Sequence, residues 1–197
     1  TPPQNNLIIN RNLTSFEINS ERDILFSWNY KFKTDHEVQC EKLNSTDTSY
    51  ILYTSGTTGT PKGIQRDVGG YSVALASSMK YIYDCKPGEV FFCASDIGWV
   101  VGHSYLIYAP LIYGCSTIMY EGLPTIPDPG IWWSIVEKYN VSTMFTSPTA
   151  IRVLKKHSQK FLQKYNTSSL RKLFLAGEPL DSATNTWVSS SLESTKI

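Results

Sequence analysis

The chain has 197 residues, 41% hydrophobic and 18% charged, which is enough for one domain with a sizeable core and short for most two-domain enzymes. With 18 basic and 17 acidic residues the net charge is +1, so nothing overall points to nucleic acid or a membrane surface as partner. No run approaches the roughly 20 apolar residues of a membrane span, and residues 1–10 hold no basic segment followed by an apolar core, so no signal peptide is expected.

In chain order, residues 1–48 are polar and rich in Asn, Thr, Ser and Glu, with short apolar patches such as 24–28. They predict an irregular N-terminal segment of loops with one strand or short helix. From 49 to 197 the pattern is regular and predicts an α/β domain. Strand-like runs fall at 50–54, 90–95, 116–120, 143–146 and 172–176, and helix-like stretches at 70–85, 103–113 (irregular at Pro110), 130–139, 149–157 and 182–192. Asp128-Pro129, Ser147-Pro148 and Asp181 each offer an N-cap oxygen at a helix entry, and in the first two a proline takes the first helical position. Strands alternating with helices imply a largely parallel sheet flanked by helices. Ligands of such sheets bind at the carboxyl ends of the strands. That places a candidate site in loops 55–63, 96–102, 121–129, 147–149 and 177–181, which are also the segments richest in chemically useful residues.

Cys40, Cys85, Cys93 and Cys115 form no CxxC pair, so zinc or thioredoxin-like chemistry finds no support. Cys93 and Cys115 lie in apolar runs and read as small core residues, which fits a reducing, cytosol-like compartment. The sequons beginning at Asn12, Asn44, Asn140 and Asn166 read as chance. Between Arg152 and Lys172 there are seven basic residues and no acidic one, read as a solvated face in preference to a phosphate site. Trp132 and Trp133 read as helix–sheet packing. His103 reads as a hydrogen-bonded structural histidine ahead of a catalytic base, and Trp99 as either a pocket wall or a core aromatic.

The richest motif is the run from Tyr50 to Gly63. Thr54, Ser55, Thr57, Thr58 and Thr60 supply hydroxyls, Gly56, Gly59 and Gly63 let the backbone approach, and Lys62, next to Pro61, carries an ammonium. Together they suit a polyphosphate: backbone N–H groups and hydroxyls donate, and the ammonium offsets charge. The run is not a Walker A loop, because Gly56 and Gly59 are too close and Gly63 stands where Ser or Thr is needed.

On these residues the chain resembles the adenylate-forming superfamily, in which this segment is the phosphate loop. Ala94 to Tyr105, Tyr120 to Pro124, Ser147 to Arg152 and Ala176 to Leu180 resemble the AMP-forming short-chain acyl-CoA synthetases. Residues 65–71 and 91–96 are closer to the propionyl-CoA than to the acetyl-CoA synthetases. The resemblance covers about residues 45–192. It implies the reaction of propionate, ATP and CoA to propionyl-CoA, AMP and pyrophosphate through an acyl-adenylate, with Mg2+ accompanying ATP. By resemblance, Thr54 to Gly63 hold the β- and γ-phosphates, and Gly177, Glu178 and Pro179 lie beside adenine and ribose. Trp99, Val100 and Val101 wall the acyl and pantetheine region, Thr125 falls at a CoA contact, and Ala176 touches the acyl group. Val101 and Thr125 depart from the Thr and Asn of the acetyl-CoA enzymes. No metal ligand and no catalytic residue is expected within the chain, since the family carries its catalytic lysine in a separate C-terminal domain. The chain is expected to be a central piece of the large N-terminal domain, inactive alone. The resemblance implies small-molecule partners and a cytoplasmic location, or the mitochondrial matrix in a eukaryote. An acetate–CoA ligase, an amino-acid-activating enzyme and a truncated, non-catalytic nucleotide-binding module are the rivals. Gly98-Trp99, with no acidic partner for an amine, argues against the second.

Overall fold

Phe91 and Phe92 are adjacent in one strand and both fully buried, yet they belong to different cores. That is the period of two in a strand covered on both faces, and it sets the architecture. The computed structural model describes residues 4–10, 15–27, 39–54, 59–192 and 195–197. The chain divides into two units, 1–42 and 43–197.

In the first unit, β1 (Asn6–Ile8) pairs in parallel with β2 (Asp23–Leu25). Asn6 Nδ2 donates to Asp23 Oδ1 at 3.0 Å and Arg22 Nε donates to the same oxygen at 2.9 Å. The Arg22 guanidinium, followed by the Asn19 N–H, holds the Asp23 carboxyl down at about 2. Leu7, Ile24 and Leu25 stay more than half exposed, so the polar bonds around Asp23 define this pair more than burial does.

The second unit holds a four-stranded, all-parallel sheet in the order β6-β5-β7-β8, built from β5 (Val90–Cys93), β6 (Ser116–Ile118), β7 (Val141–Thr146) and β8 (Lys172–Leu175). All six residues of β7 are buried, as a central strand requires. Phe92, Met144 and Leu173 form one cross-strand row, and Cys93, Phe145 and Phe174 form a row on the opposite face. The first row packs under α3 (Ile131–Tyr139), α4 (Pro148–Lys155) and α6 (Ser182–Ser191), with Trp133, Val136, Ile151 and Val188 buried against it. The second packs under α1 (Gly69–Tyr81), a π-helical segment (Gly102–Tyr108) and α2 (Ala109–Tyr113). Tyr83 is the aromatic hub of this second core, with ring centroids 5.3 Å from Phe91, 4.7 Å from Phe174 and 4.9 Å from Tyr105. A short helix α5 (Lys160–Gln163) joins α4 to β8. Among the described residues no helix is long and apolar enough to cross a membrane.

Three sequence expectations need correction. The helix over 103–113 is irregular ahead of Pro110 and not at it. The Ala109 N–H donates to Ser104 O five residues back, and Pro110 sits in the first turn of α2, where its missing N–H costs nothing. Asp128 is not an N-cap: its Oδ1 accepts from Gly130 N at 2.6 Å in a turn one step earlier, and Gly130 precedes the helix with no side-chain cap. Ser147 and Asp181 do cap, accepting from Ala150 N at 3.3 Å and Thr184 N at 2.8 Å. Finally, loop 55–63 does not follow a strand of the parallel sheet. β3 (Thr48–Thr54) and β4 (Lys62–Asp67) form a separate antiparallel pair, and the segment between them connects the two strands of that pair.

Candidate functional site

The hairpin pairs Thr54 with Lys62 and Tyr53 with Gly63. Thr54, Thr60, Pro61, Lys62 and Gly63 are exposed, and Gly59 has φ +78°, the left-handed conformation that glycine adopts freely. Ser55, Gly56, Thr57 and Thr58 lie outside the described residues. The base of the hairpin is anchored by tyrosines. Tyr50 OH donates to Tyr71 OH at 2.9 Å, Tyr71 OH shares a 2.7 Å bond with Ser104 Oγ, and the Tyr50 ring stacks on Tyr108 at 5.9 Å. Burial, reinforced by the Tyr71 hydroxyl, pushes the Tyr50 phenol well above its ordinary value. Asp67 at the end of β4 accepts from Tyr71 N at 2.8 Å and so starts α1. The hairpin is thereby fixed to α1 and to the π-helical segment together.

The segment leading into that π-helix carries the predicted acyl wall. Asp96 Oδ1 accepts from Gly98 N at 2.7 Å, Asp96 O from Trp99 N at 3.2 Å, and Trp99 O from His103 N at 3.1 Å. Trp99 is 68% exposed, so of its two readings the core aromatic fails. Val100 is 38% exposed, whereas Val101 packs against the second core. His103 lies with its ring 5.2 Å from Tyr50, and its Nδ1 is buried with no hydrogen-bond partner among the described residues. The hydrogen-bonded structural role is therefore not seen at that nitrogen.

At the carboxyl edge of the sheet, Ala94 N donates to Phe145 O at 2.9 Å, Thr146 Oγ1 to Ala94 O at 3.3 Å and Ala176 N to Thr146 O at 3.2 Å. The ends of β5, β7 and β8 are thus level, and Ala176 stands exposed at that edge. Gly177 follows with φ +98°, then Glu178 and Pro179. Glu178 accepts from Thr149 N and from Arg152 Nη1, both at 2.8 Å, and Arg152 also donates to Asp181 and to Pro179 O. The carboxyls of Glu178 and Asp181 are both held below the ordinary carboxylate range, Asp181 mainly by Arg152 and Glu178 by Thr149 and Arg152. The basic stretch 152–172 is therefore not simply a solvated face. At the far end of the sheet Arg171 Nη2 meets both Glu89 oxygens at 2.7 Å, and Lys172 Nζ meets Asp84 at 2.8 Å.

A cleft of about 540 Å³ opens at the same edge. It is lined by Ala94 to Ile97 after β5, Met119 to Pro124 after β6, Trp132 of α3 and Ala150 of α4. Trp132 Nε1 is buried without a hydrogen-bond partner among the described residues. Trp99, Val100, Val101, Thr125 and Ala176 do not line this cleft. Ile97 and Leu123, in the candidate loops 96–102 and 121–129, do line it, as does Met119 at the end of the strand-like run 116–120. None of the three carries a polar group, so only their place after parallel strands signals a site. Among the described residues no three His, Cys, Asp or Glu side chains converge to hold a metal.

The parallel sheet with helices on both faces and a separate antiparallel hairpin is an α/β architecture, and residues 5–197 match the family of AMP-binding enzymes, to which the chain belongs. Within it, the chain is 58% identical over 191 residues to the propionate–CoA ligase of Escherichia coli (strain K12), an alignment covering 97% of this chain and 30% of that protein. It is 56% identical over 190 residues to the propionate–CoA ligase of Salmonella typhimurium, covering 96% and 30%. An acetyl-coenzyme A synthetase of Pyrobaculum aerophilum is 42% identical over 160 residues, covering 81% and 24%. The chain thus spans less than a third of the length of these relatives.

Proposed function

We propose that this chain forms the phosphate-binding and acyl-binding part of an AMP-forming ligase that joins propionate to CoA at the expense of ATP. The observation that carries this reading is the Tyr50–Tyr71–Ser104 chain of hydrogen bonds, which ties the Lys62 hairpin to the segment bearing Trp99. A polyphosphate on the hairpin and an acid against Trp99 would then be held on one rigid frame, the condition under which positioning lowers a barrier.

In the first step a propionate oxygen attacks the α-phosphorus of ATP, a new P–O bond forms, and the bond to pyrophosphate breaks. In the second, the CoA thiol loses its proton, its sulfur adds to the acyl carbonyl, and AMP leaves with the bonding pair. Thr54 to Gly63 hold the departing pyrophosphate, with backbone N–H groups, hydroxyls and the Lys62 ammonium set against its charge. Gly177 and Pro179 present backbone and ring surface to the adenosine end. Trp99, Val100 and Val101 form an apolar wall for the acyl and pantetheine groups, Thr125 is placed for a CoA contact, and Ala176 limits the acyl chain. Mg2+ would accompany the triphosphate. A reducing, cytoplasmic setting fits the buried free thiols of Cys85, Cys93 and Cys115.

Pyrophosphate release by the full-length protein across acetate, propionate and butyrate tests the reading. One methylene in an apolar pocket is worth about 1–3 kcal/mol, so kcat/KM for propionate should exceed that for acetate roughly 10- to 200-fold. Ala176→Val should move the preference back toward acetate. Equal specificity constants in the wild type would remove the propionate assignment and leave the family standing, whereas a preference for acetate would favour the acetate–CoA reading, which the 42% identity to an acetyl-coenzyme A synthetase supports. No release with any acid would leave the non-catalytic nucleotide-binding module.

A further inference from the structure

Arg152 spends its guanidinium on a single turn. Nη1 donates to Glu178 Oε2 at 2.8 Å, Nε to Asp181 Oδ2 at 2.8 Å, and Nη2 to the Pro179 carbonyl at 2.7 Å. Its partners have second commitments. The other Glu178 oxygen, Oε1, accepts from Thr149 N at 2.8 Å in the first turn of α4. The other Asp181 oxygen, Oδ1, caps α6 through Thr184 N at 2.8 Å. Turn 177–181 is therefore held between two helices by one planar fork, with Gly177 at φ +98° as the pivot that leads into it.

Ion pairs this exposed add little to stability, since solvent screens them. A fork bound to three separate acceptors, one of them a main-chain carbonyl, instead fixes geometry. Both Glu178 oxygens already accept from protein donors, so the carboxylate acts as a strut. The turn presents backbone and the Pro179 ring to a ligand besides.

We propose that Arg152 is a positioning residue for nucleotide: without touching ATP, it sets the pose of turn 177–179 through Glu178, Pro179 and Asp181. The inference rests on the reading of that turn as an adenosine contact. Displacement of a binding group by about an ångström costs up to roughly 100-fold. Loss of the fork in Arg152→Met should accordingly raise KM for ATP by about 10- to 100-fold.

The test uses the full-length protein. Arg152→Met should raise KM for ATP and weaken AMP binding measured by calorimetry, while KM for propionate stays put. The melting temperature should move by at most a few degrees, as expected for a screened surface network. Arg152→Lys, whose single ammonium cannot span three acceptors, should fall between wild type and Arg152→Met, and it carries the same test should the methionine variant fold poorly. A general loosening would raise the KM values for ATP and propionate together, and that result overturns the proposal. So does an unchanged KM for ATP in both variants. Gly177→Ala, strained by its positive φ, serves as the reference. If it raises KM for ATP while the Arg152 variants do not, the clamp alone is wrong. If it also has no effect, the adenosine assignment of the turn falls too.

Discussion

Lys62 begins β4 opposite Thr54, exposed, at the point where the hairpin closes. An ammonium there is a compact charge on a flexible stem, suited to following phosphate oxygens as they leave. Removing one preorganised charge contact to a developing anion costs about 3 kcal/mol, or roughly 100-fold in rate. In the full-length protein, Lys62→Ala should therefore slow acyl-adenylate formation by about that factor in single-turnover measurements, leaving the thiol-transfer step from preformed acyl-adenylate near its wild-type rate. Wild-type adenylation in the variant would remove Lys62 from the pyrophosphate side. Trp99 gives the contrasting lesson at the same scale. Its residue type was compatible with a core role, and only its 68% exposure separates the two readings.

Among the elements, the π-helical segment starts at a glycine with no room for a side chain. A Cβ built on Gly102 would stand 2.2 Å from Asp96 O and 2.6 Å from Ile97 Cα, both backbone atoms that cannot swing aside. Gly102 thus lets the turn carrying Trp99 lie against the start of the π-helix. Gly102→Ala should cost about 1–3 kcal/mol, as overpacking does, lowering the melting temperature and raising KM for propionate more than KM for ATP. A variant that keeps both values would show that the close approach is not required. The Arg152 clamp makes a prediction in pH. Because the folded-state values of Glu178 and Asp181 are depressed, their contribution is present above the unfolded carboxylate range and is lost as pH falls through the folded values. The Thr149 amide, which donates to Glu178, should titrate in an NMR series with a midpoint below the ordinary carboxylate value of about 4. A midpoint at or above it would contradict the bond. Much of this arrangement was legible in sequence, and for physical reasons. The β-rich run 143–146 inside β7 and the Ser147-Pro148 and Asp181 caps are local signals that local forces enforce. β4 was not legible, because Lys62–Asp67 is largely exposed and Ile64 is its single large aliphatic residue, so it lacks the alternation of a half-buried strand. The Asp128 cap failed because its side chain found a donor one residue too early. The glycine- and threonine-rich motif stands out in the sequence, but its separation from the parallel sheet depends on tertiary pairing that no local pattern reports. The clamp was hidden for the same reason: Arg152 lies 26 residues from Glu178 in sequence.

For the whole molecule, folding and chemistry make separate demands. Folding rests on two cores on opposite faces of the β6-β5-β7-β8 sheet, with Trp133, Phe92, Met144 and Leu173 on one side and Met79, Phe91 and Tyr83 on the other. A sheet covered on both faces satisfies the requirement for a cooperative unit. Adenylation demands more, because only interactions stronger in the transition state than in the ground state accelerate a step. In the proposed function the hairpin, the Gly177 turn and the apolar wall supply binding, and binding that favours substrate and transition state equally lowers KM without raising kcat. On the proposed reading Lys62 faces pyrophosphate, while Arg152 is committed to Glu178, Pro179 and Asp181. A polypeptide of these 197 residues, expressed alone, should therefore unfold in a single cooperative transition by calorimetry yet make no propionyl-CoA from propionate, ATP and CoA. Turnover above buffer that persists through purification from a host lacking such ligases would show that these residues contain the catalytic charge as well as the binding frame. Turnover abolished by Lys62→Ala would locate that charge on the hairpin.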